Sequence, residues 1–404
     1  MEQPIVIYQL LLQAGELSAL AAALLLVTPI GVVFVECMAA LLPSRRHSSD
    51  ASTPSTAILI PAHNEAAIIA ETLTAVMSNG QDAAAVHVVA DNCTDDTASI
   101  CRDFGATVLE RHDSVNRGKG YALDYGLRHL DSDPPQTVVM VDADCTAAPD
   151  ALAQIASWSS KTDRPVQAVY LMDVPPNPSP SDSLSALAFL VKNWVRPSGL
   201  ARMGLPCLLT GTGMAFPWSV IRSAPLASGN IVEDMQLGLD LAIAGYPPQF
   251  CPTARVTGRL PQNEDAAKGQ RKRWEHGHLS TMMTQVPQLL QQALVQRRFD
   301  LFALALELLV PPLSLIVMLW ATALVLSGLV ALLGGAAAPF YLLAAEGALI
   351  LVAIVGAWAK FGQGHVSGVA LLMAPLYVAW KIPLYVAFLV NRQTDWVRTE
   401  RDVT

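Results

Sequence analysis

The chain has 404 residues, 52% of them hydrophobic and only 15% charged, with a formal net charge of −8. That is too apolar and too charge-poor for an ordinary soluble protein. The negative balance, with no basic stripe interleaved with aromatics, argues against nucleic acid as a partner.

The apolar residues gather at the two ends. Residues 17–42 are nearly free of charge, as are most of 301–338, 339–359 and 366–390, whereas 47–296 reads as a soluble α/β domain. About 20 apolar residues span a bilayer, so both ends are expected in the membrane. The expected organisation is an N-terminal segment with a transmembrane anchor (1–43), a Ser/Thr/Pro linker (44–55), a cytosolic α/β domain (56–263), amphipathic interfacial helices (264–300), a C-terminal transmembrane region (301–391) and a basic cytosolic tail (392–404). Residues 1–15 read as an interfacial lead-in. Arg45, Arg46 and His47 follow the first apolar run rather than precede it, which favours an uncleaved anchor with its carboxyl side in the cytosol. Glu36 lies near the end of that run, where it can snorkel to the interface. The six cysteines (37, 93, 101, 145, 207, 251) show no C-x-x-C and no zinc spacing, and read as reduced, mostly buried thiols.

In the middle domain, 57–60 is a strand that runs into Pro61-Ala62-His63-Asn64-Glu65 and a helix over 66–78. A second strand, 86–90, ends at Asp91, followed by a polar turn with helix N-cap chemistry and a helix to Phe104. A third strand covers 107–109, and Asn116-Arg117-Gly118-Lys119-Gly120 opens a helix ending near Leu130. Then Val138-Val139-Met140-Val141 runs into Asp142-Ala143-Asp144. Strands alternating with helices at this spacing mean a mostly parallel sheet covered on both faces. Open α/β sheets bind ligands beyond the carboxyl ends of their strands, and Asn64, Glu65, Asp91 and Asp142 all fall on that edge. Two carboxylates ending a buried strand fit either a helix cap or a hard divalent cation beside a phosphate. The Arg117–Gly120 turn is either a phosphate cradle or a solvated turn. No glycine follows the first strand and no P-loop is present, which disfavours hydride transfer and P-loop chemistry.

Residues 166–172 form another strand, 173–180 a Pro-rich loop and 183–195 a helix. Thr210-Gly211-Thr212-Gly213 precedes a short strand, 214–217, and permits either close ligand approach or a simple tight turn. Glu233 and Asp234 open a helix, where acids are also ordinary dipole partners. Residues 248–256 complete the sheet edge. The basic helix 264–280 contains Gln270-Arg271-Lys272-Arg273-Trp274 directly before the membrane region and reads as interfacial. His276 and His278, without an acid cluster, are a weak metal signal. Pro311-Pro312 breaks the first C-terminal apolar stretch, and Pro375, Lys381 and Pro383 interrupt the last. Basic residues at Arg297/Arg298 and at Arg392, Arg398 and Arg401 then predict an even number of crossings after the soluble domain.

In that order and context, Asp91, Asp142-Ala143-Asp144, Glu233-Asp234 and Gln270-x-x-Arg273-Trp274, with the early Pro61–Glu65 run, resemble the membrane-integrated family 2 glycosyltransferases. That group includes cellulose, hyaluronan and chitin synthases and ceramide glucosyltransferase. The resemblance covers about residues 55 to 285 and implies a GT-A type, mostly parallel sheet with helices on both faces, flanked by transmembrane helices. It implies a nucleotide-sugar donor, most often a UDP-sugar, and Mg²⁺ or Mn²⁺. Asn64, Glu65 and Asp91 would face the uridine, Lys119 the donor phosphates, and Asp142 the donor sugar or ribose. Asp144, with Asp142, would hold the cation, and Gln270 and Arg273 would contact the diphosphate. Asp234 would be the general base of an inverting transfer. Thr212, Gly213, Glu233 and Trp274 would form the acceptor side.

The implied function is transfer of one sugar to a lipid or lipid-linked acceptor, in contact with membrane lipids, in exopolysaccharide or glycolipid assembly. The implied place is a bacterial inner membrane, multi-pass, with the catalytic domain cytosolic. Val232 replaces the Thr common in cellulose synthases, and the membrane region is small for a polysaccharide-conducting channel. Both count against the alternative of a processive synthase. A non-catalytic membrane sensor of nucleotide-sugars is the alternative of another class.

Overall fold

Short runs of β-branched and apolar residues bounded by polar turns become buried strands because each can hide both faces between helices. The computed structural model describes residues 2–43, 54–80, 82–173, 178–227, 232–259 and 264–390. Most of the expected linker, half of the Pro-rich loop at 173–180 and the basic tail therefore lie outside the described residues. The strands are β1 (Thr56–Ala62), β2 (Val86–Asp91), β3 (Thr107–Arg111), β4 (Thr137–Met140), β5 (Cys145–Ala147), β6 (Val166–Asp173), β7 (Met214–Pro217) and β8 (Gln249–Arg259). They form one eight-stranded sheet in the order β3-β2-β1-β4-β7-β6-β8-β5.

The first four strands of that order are parallel, as expected. Beyond β4 the sheet is mixed: β7 runs antiparallel to β4 and β6, β6 pairs parallel with β8, and β5 is antiparallel to β8. The edge expected at 248–256 is an inner strand, because the three residues after Asp144 turn back and pair outside it. Asp142 and Asp144 thus sit in the link between two strands rather than capping a helix.

One core cluster packs Ile58, Ile60, Val88, Val139 and Val141 against the helices Ile69–Met77 and Ala151–Thr162. A second packs Leu59, Val89, Met140 and Phe216 against the helix Lys119–Leu130. With Leu and Ile side chains contributing about 1.5–3 kcal/mol each when fully buried, these two layers hold the parallel strand ends in register.

Among the described residues, three helices are long and apolar enough to cross a membrane: Val6–Leu41, Leu313–Leu332 and Ala338–Gly362. The first belongs to the helix Glu2–Leu41, so the expected interfacial lead-in is continuous with the expected anchor. The last apolar stretch is broken into Gly368–Leu372, Ala374–Trp380 and Ile382–Val390. Glu36 does not snorkel. It is 3% exposed, and Arg196 Nε donates to its Oε2 at 2.6 Å while Arg196 Nη2 donates to Glu307 Oε2 at 2.5 Å. An acid on the inward face of an anchor stays buried when a guanidinium meets it there. The helix Arg196–Met203 reaches that face closely because Gly199 has no side chain: a Cβ would lie 2.0 Å from the Glu36 carbonyl oxygen.

Candidate active site

The carboxyl ends of β1, β2 and β4 carry Asn64, Asp91 and Asp142 to one edge of the sheet. Asn64 takes a left-handed backbone (φ 54°), and its side-chain oxygen accepts the Thr94 amide at 2.7 Å. The Glu65 amide donates to Thr97 Oγ1 at 2.8 Å. Asp91 is buried and accepts from Arg111 Nη1 at 2.6 Å and from Asn92 Nδ2 at 3.0 Å. Arg111 Nη2 also donates to the Asn116 carbonyl at 2.7 Å, tying this strip to the loop that delivers Lys119.

Lys119 begins the helix Lys119–Leu130. Its Nζ pairs with Asp142 Oδ1 and donates to the Gly211 carbonyl at 2.7 Å. Burial alone would lower its pKa, but Asp142, Glu233 and Asp234 outweigh burial and raise it, so the ammonium stays charged. The same burial raises the Asp142 carboxyl, opposed by Lys119. Glu233 and Asp234 open the helix Glu233–Ile243, and both are raised by burial and lowered by Lys119. Two neighbouring carboxylates in a low-dielectric wall cannot both ionise freely, and that is the usual way a base is tuned toward neutrality.

Ligand atoms of Asp142, Asp144 and Cys145 lie within 4.8 Å of one another. Burial keeps the Cys145 thiol protonated, far above its usual range. The donors left are two hard carboxylate oxygens, which suit Mg²⁺ or Mn²⁺ and not a thiophilic ion.

Asp144 shares its strand link with Asp142, and Cys145 opens β5. Of the three, Asp142 lines a cavity of about 300 Å³. Lys119, Asp142, Glu233, Asp234, Arg273 and Trp274 line it, and Trp274 lies 5.8 Å from Phe189, centroid to centroid. Asn64, Glu65 and Asp91 form a separate strip, and Gln270 is buried off the cavity wall. Thr212 and Gly213, expected on the acceptor side, do not line this cavity. Thr212 is fully buried and its Oγ1 accepts the Asp142 amide at 3.0 Å, while a Cβ on Gly213 would meet Val256 and Ala168. Their neighbours Thr210 and Gly211 line the cavity instead. His276 and His278 face the Leu384 and Val310 carbonyls, so they tie their helix to a neighbouring helix and to the Leu309–Pro312 link rather than hold a metal.

Sequence reasoning missed Gln167. Its Nε2 donates to the Thr212 carbonyl at 2.9 Å and its Oε1 accepts the Thr210 amide at 2.9 Å, stapling the Thr210–Gly213 loop to β6. A glutamine inside an otherwise apolar strand was the available signal.

The mixed sheet, the acidic strand ends and the Glu-Asp helix start define the class, a glycosyltransferase of GT-A type. The chain belongs to glycosyltransferase-like family 2, whose model matches residues 54–277, more than half of its length. It is 24% identical over 262 residues to the probable glycosyltransferase YdaM of Bacillus subtilis (strain 168), covering 62% of this chain and 61% of that protein. It is 34% identical over 115 residues to the 4,4'-diaponeurosporenoate glycosyltransferase of Staphylococcus aureus (strain USA300), covering 26% of this chain and 30% of that one. The chain thus spans about three-fifths of the first relative's length and under a third of the second's. Its fold is shared with the mannosyltransferase PcManGT of Pyrobaculum calidifontis, solved with GDP-Man and Mn²⁺. That likeness has a TM-score of 0.58 at 19% identity and covers 95% of this chain and all of that one.

Proposed function

We infer that this chain moves one sugar, with inversion, from a nucleotide-sugar, a UDP-sugar by expectation, to a lipid or lipid-linked acceptor at the cytosolic face of a membrane. The observation that carries the reading is the shape of the cavity. It joins Asp142, Lys119 and Asp234 to Val33 of the anchor helix, to Pro311–Ser314 and to Tyr377, which belong to the membrane-side segments. A soluble donor and an amphiphilic acceptor meet there without either leaving its own phase. One relative is named a 4,4'-diaponeurosporenoate glycosyltransferase, and a single small molecule in that name supports single transfer over processive synthesis.

Asp142 and Asp144 would hold Mg²⁺ or Mn²⁺, as PcManGT was solved with Mn²⁺. A cation held by these two carboxylates would supply positive charge for the leaving diphosphate. Lys119 adds a fixed positive charge beside it, and the Arg273 guanidinium a second. Asp234 takes the proton of the acceptor hydroxyl as that oxygen attacks the anomeric carbon, while the bond from that carbon to the donor phosphate breaks. Glu233 sets the charge around Asp234, and Trp274 offers an apolar face to an acceptor sugar. Asn64, Glu65 and Asp91 are assigned to the nucleoside end, and Gln270 to positioning the helix that carries Arg273.

The test uses the full chain in nanodiscs, Mn²⁺ or Mg²⁺, a panel of labelled nucleotide-sugars and a bacterial lipid extract. The reading expects cation-dependent release of nucleotide and one solvent-extractable glycolipid. A product ladder would favour the processive alternative, and no turnover with any donor would favour the sensor.

A further inference from the structure

The cavity extends past Asp234 to Val191, Lys192 and Asn193, which belong to a π-helical stretch, Val191–Val195, between two α-helical ones. Such stretches shift side chains out of ordinary helical register and concentrate at functional sites. This one places Lys192 and Asn193 on the cavity wall. Other cations there have carboxylate partners: Lys119 has Asp142, Arg196 has Glu36 and Glu307, and Lys381 has Glu275. Lys192 is mostly buried, yet among the described residues it makes no hydrogen bond and no ion pair. Burial pulls its ammonium below the usual lysine value, opposed by Asp234. A cation left in such a wall is costly unless an anion joins it.

Two further polar atoms are orphaned beside it. Asn193 and His278 are each 4% exposed, and neither Asn193 Oδ1 nor His278 Nδ1 has a partner. His278 Nε2 lies 3.0 Å from the Val310 carbonyl and must donate to it, which leaves Nδ1 as an acceptor. The wall therefore offers one positive donor and two acceptors, the complement of an anionic oxygen group next to a hydroxyl. Val33, Val310, Pro311 and Leu313 continue the same cavity as an apolar surface.

We propose that this end of the cavity is an acceptor subsite for an amphiphile whose head carries an anionic oxygen group, phosphate or carboxylate, with Lys192 as its counter-charge. The inference rests on the glycosyl-transfer reading and names the acceptor's chemical class.

The test is equilibrium binding of octyl phosphate, octanoate and octanol to the full chain in phosphatidylcholine nanodiscs, with empty nanodiscs subtracted. Wild type should bind one of the two anions about tenfold or more tighter than octanol, the scale of one charge-assisted hydrogen bond. Which anion wins tells phosphate from carboxylate. The preference should vanish in Lys192→Met and return in Lys192→Arg, with unfolding temperatures showing that both variants fold. Equal binding of all three probes, or a preference that survives Lys192→Met, would overturn the subsite. So would competition by inorganic phosphate as strong as by octyl phosphate, which would mean a free-anion site. A parallel loss of UDP or GDP affinity in Lys192→Met would place Lys192 on the donor instead. Nucleotide release by the same wild-type preparation separates the two failures. No release with any donor overturns glycosyl transfer itself, whereas release without charge preference overturns only this subsite.

Discussion

Arg196→Met removes the guanidinium that stands between Glu36 of the anchor helix and Glu307 of the helix Phe299–Leu308. The three residues are 5%, 3% and 3% exposed, so water cannot take over the lost bonds. Breaking a buried pair from one side costs about 3–5 kcal/mol, because the remaining charge stays buried and alone. Here two carboxylates are left, and the Glu307 carbonyl also loses a donor at 3.2 Å. At about 2 °C per kcal/mol for a chain of this size, the melting temperature should fall by roughly 6–10 °C. Replacing the whole set, as Glu36→Leu, Arg196→Met and Glu307→Leu together, should recover most of that loss, since apolar replacements of buried ion networks are close to neutral. Fluorescence-monitored melting in one detergent, with limited proteolysis to report release of the anchor, reads both variants. If Arg196→Met melts with the wild type, or the triple variant melts as low as the single one, the network does not join anchor and catalytic domain as described.

Gly211→Ala puts a Cβ 3.1 Å from Asp234 Oδ2 and 3.4 Å from Lys119 Nζ, at a backbone φ of +92°. The backbone strain is about 1–2 kcal/mol, so the fold should survive while steady-state kcat drops on the order of tenfold or more through the displaced base; an unchanged kcat would separate Gly211 from the chemistry. Thr212→Val keeps the shape but removes the oxygen that accepts the Asp142 amide. It should cost about 1–3 kcal/mol and raise the Mn²⁺ concentration needed for half-maximal activity, whereas an unchanged Mn²⁺ titration would mean that Asp142 does not depend on this anchor. The pH profile follows from burial of Glu233 and Asp234. Burial raises both carboxyls, Glu233 to about 7, so the ionised base is lost as pH falls through a range well above that of an exposed carboxylate. The acid limb of kcat/KM should therefore lie nearer neutrality than pH 4, and a limb in the ordinary carboxylate range would remove these acids from the proton transfer.

The acidic strand ends were legible because local patterns carry them. A β-branched run that stops at Asp142 declares both a strand and its polar end, and Asp91 does the same one strand over. The helix opened by Glu233 and the strand 214–217 after the glycine-rich turn were readable for the same reason. Long-range geometry was not. The return of residues 145–147 to pair outside β8, which makes the sheet mixed, depends on a partner over a hundred positions away. Glu36 and Arg196 lie 160 positions apart, so a burial-scale reading of the anchor could only send the acid to the interface. Thr212 and Gly213 looked like cavity residues because glycine-rich turns often approach ligands. The Thr212 hydroxyl faces the Asp142 amide and Gly213 packs against Val256, so both turn inward instead. Lys192 was hidden inside what read as one regular helix, since nothing in Val191–Val195 announces a π-helical register.

The central claim is that Asp234 takes the acceptor's proton at the junction of donor site and membrane-side cavity. The direct measurement is single-turnover transfer from a labelled nucleotide-sugar to a lipid acceptor in nanodiscs, comparing wild type with Asp234→Asn. Transfer should slow by about 10²–10⁴-fold while nucleotide affinity holds. Full transfer by Asp234→Asn, with nucleotide release and glycolipid formation at the wild-type rate, would contradict it.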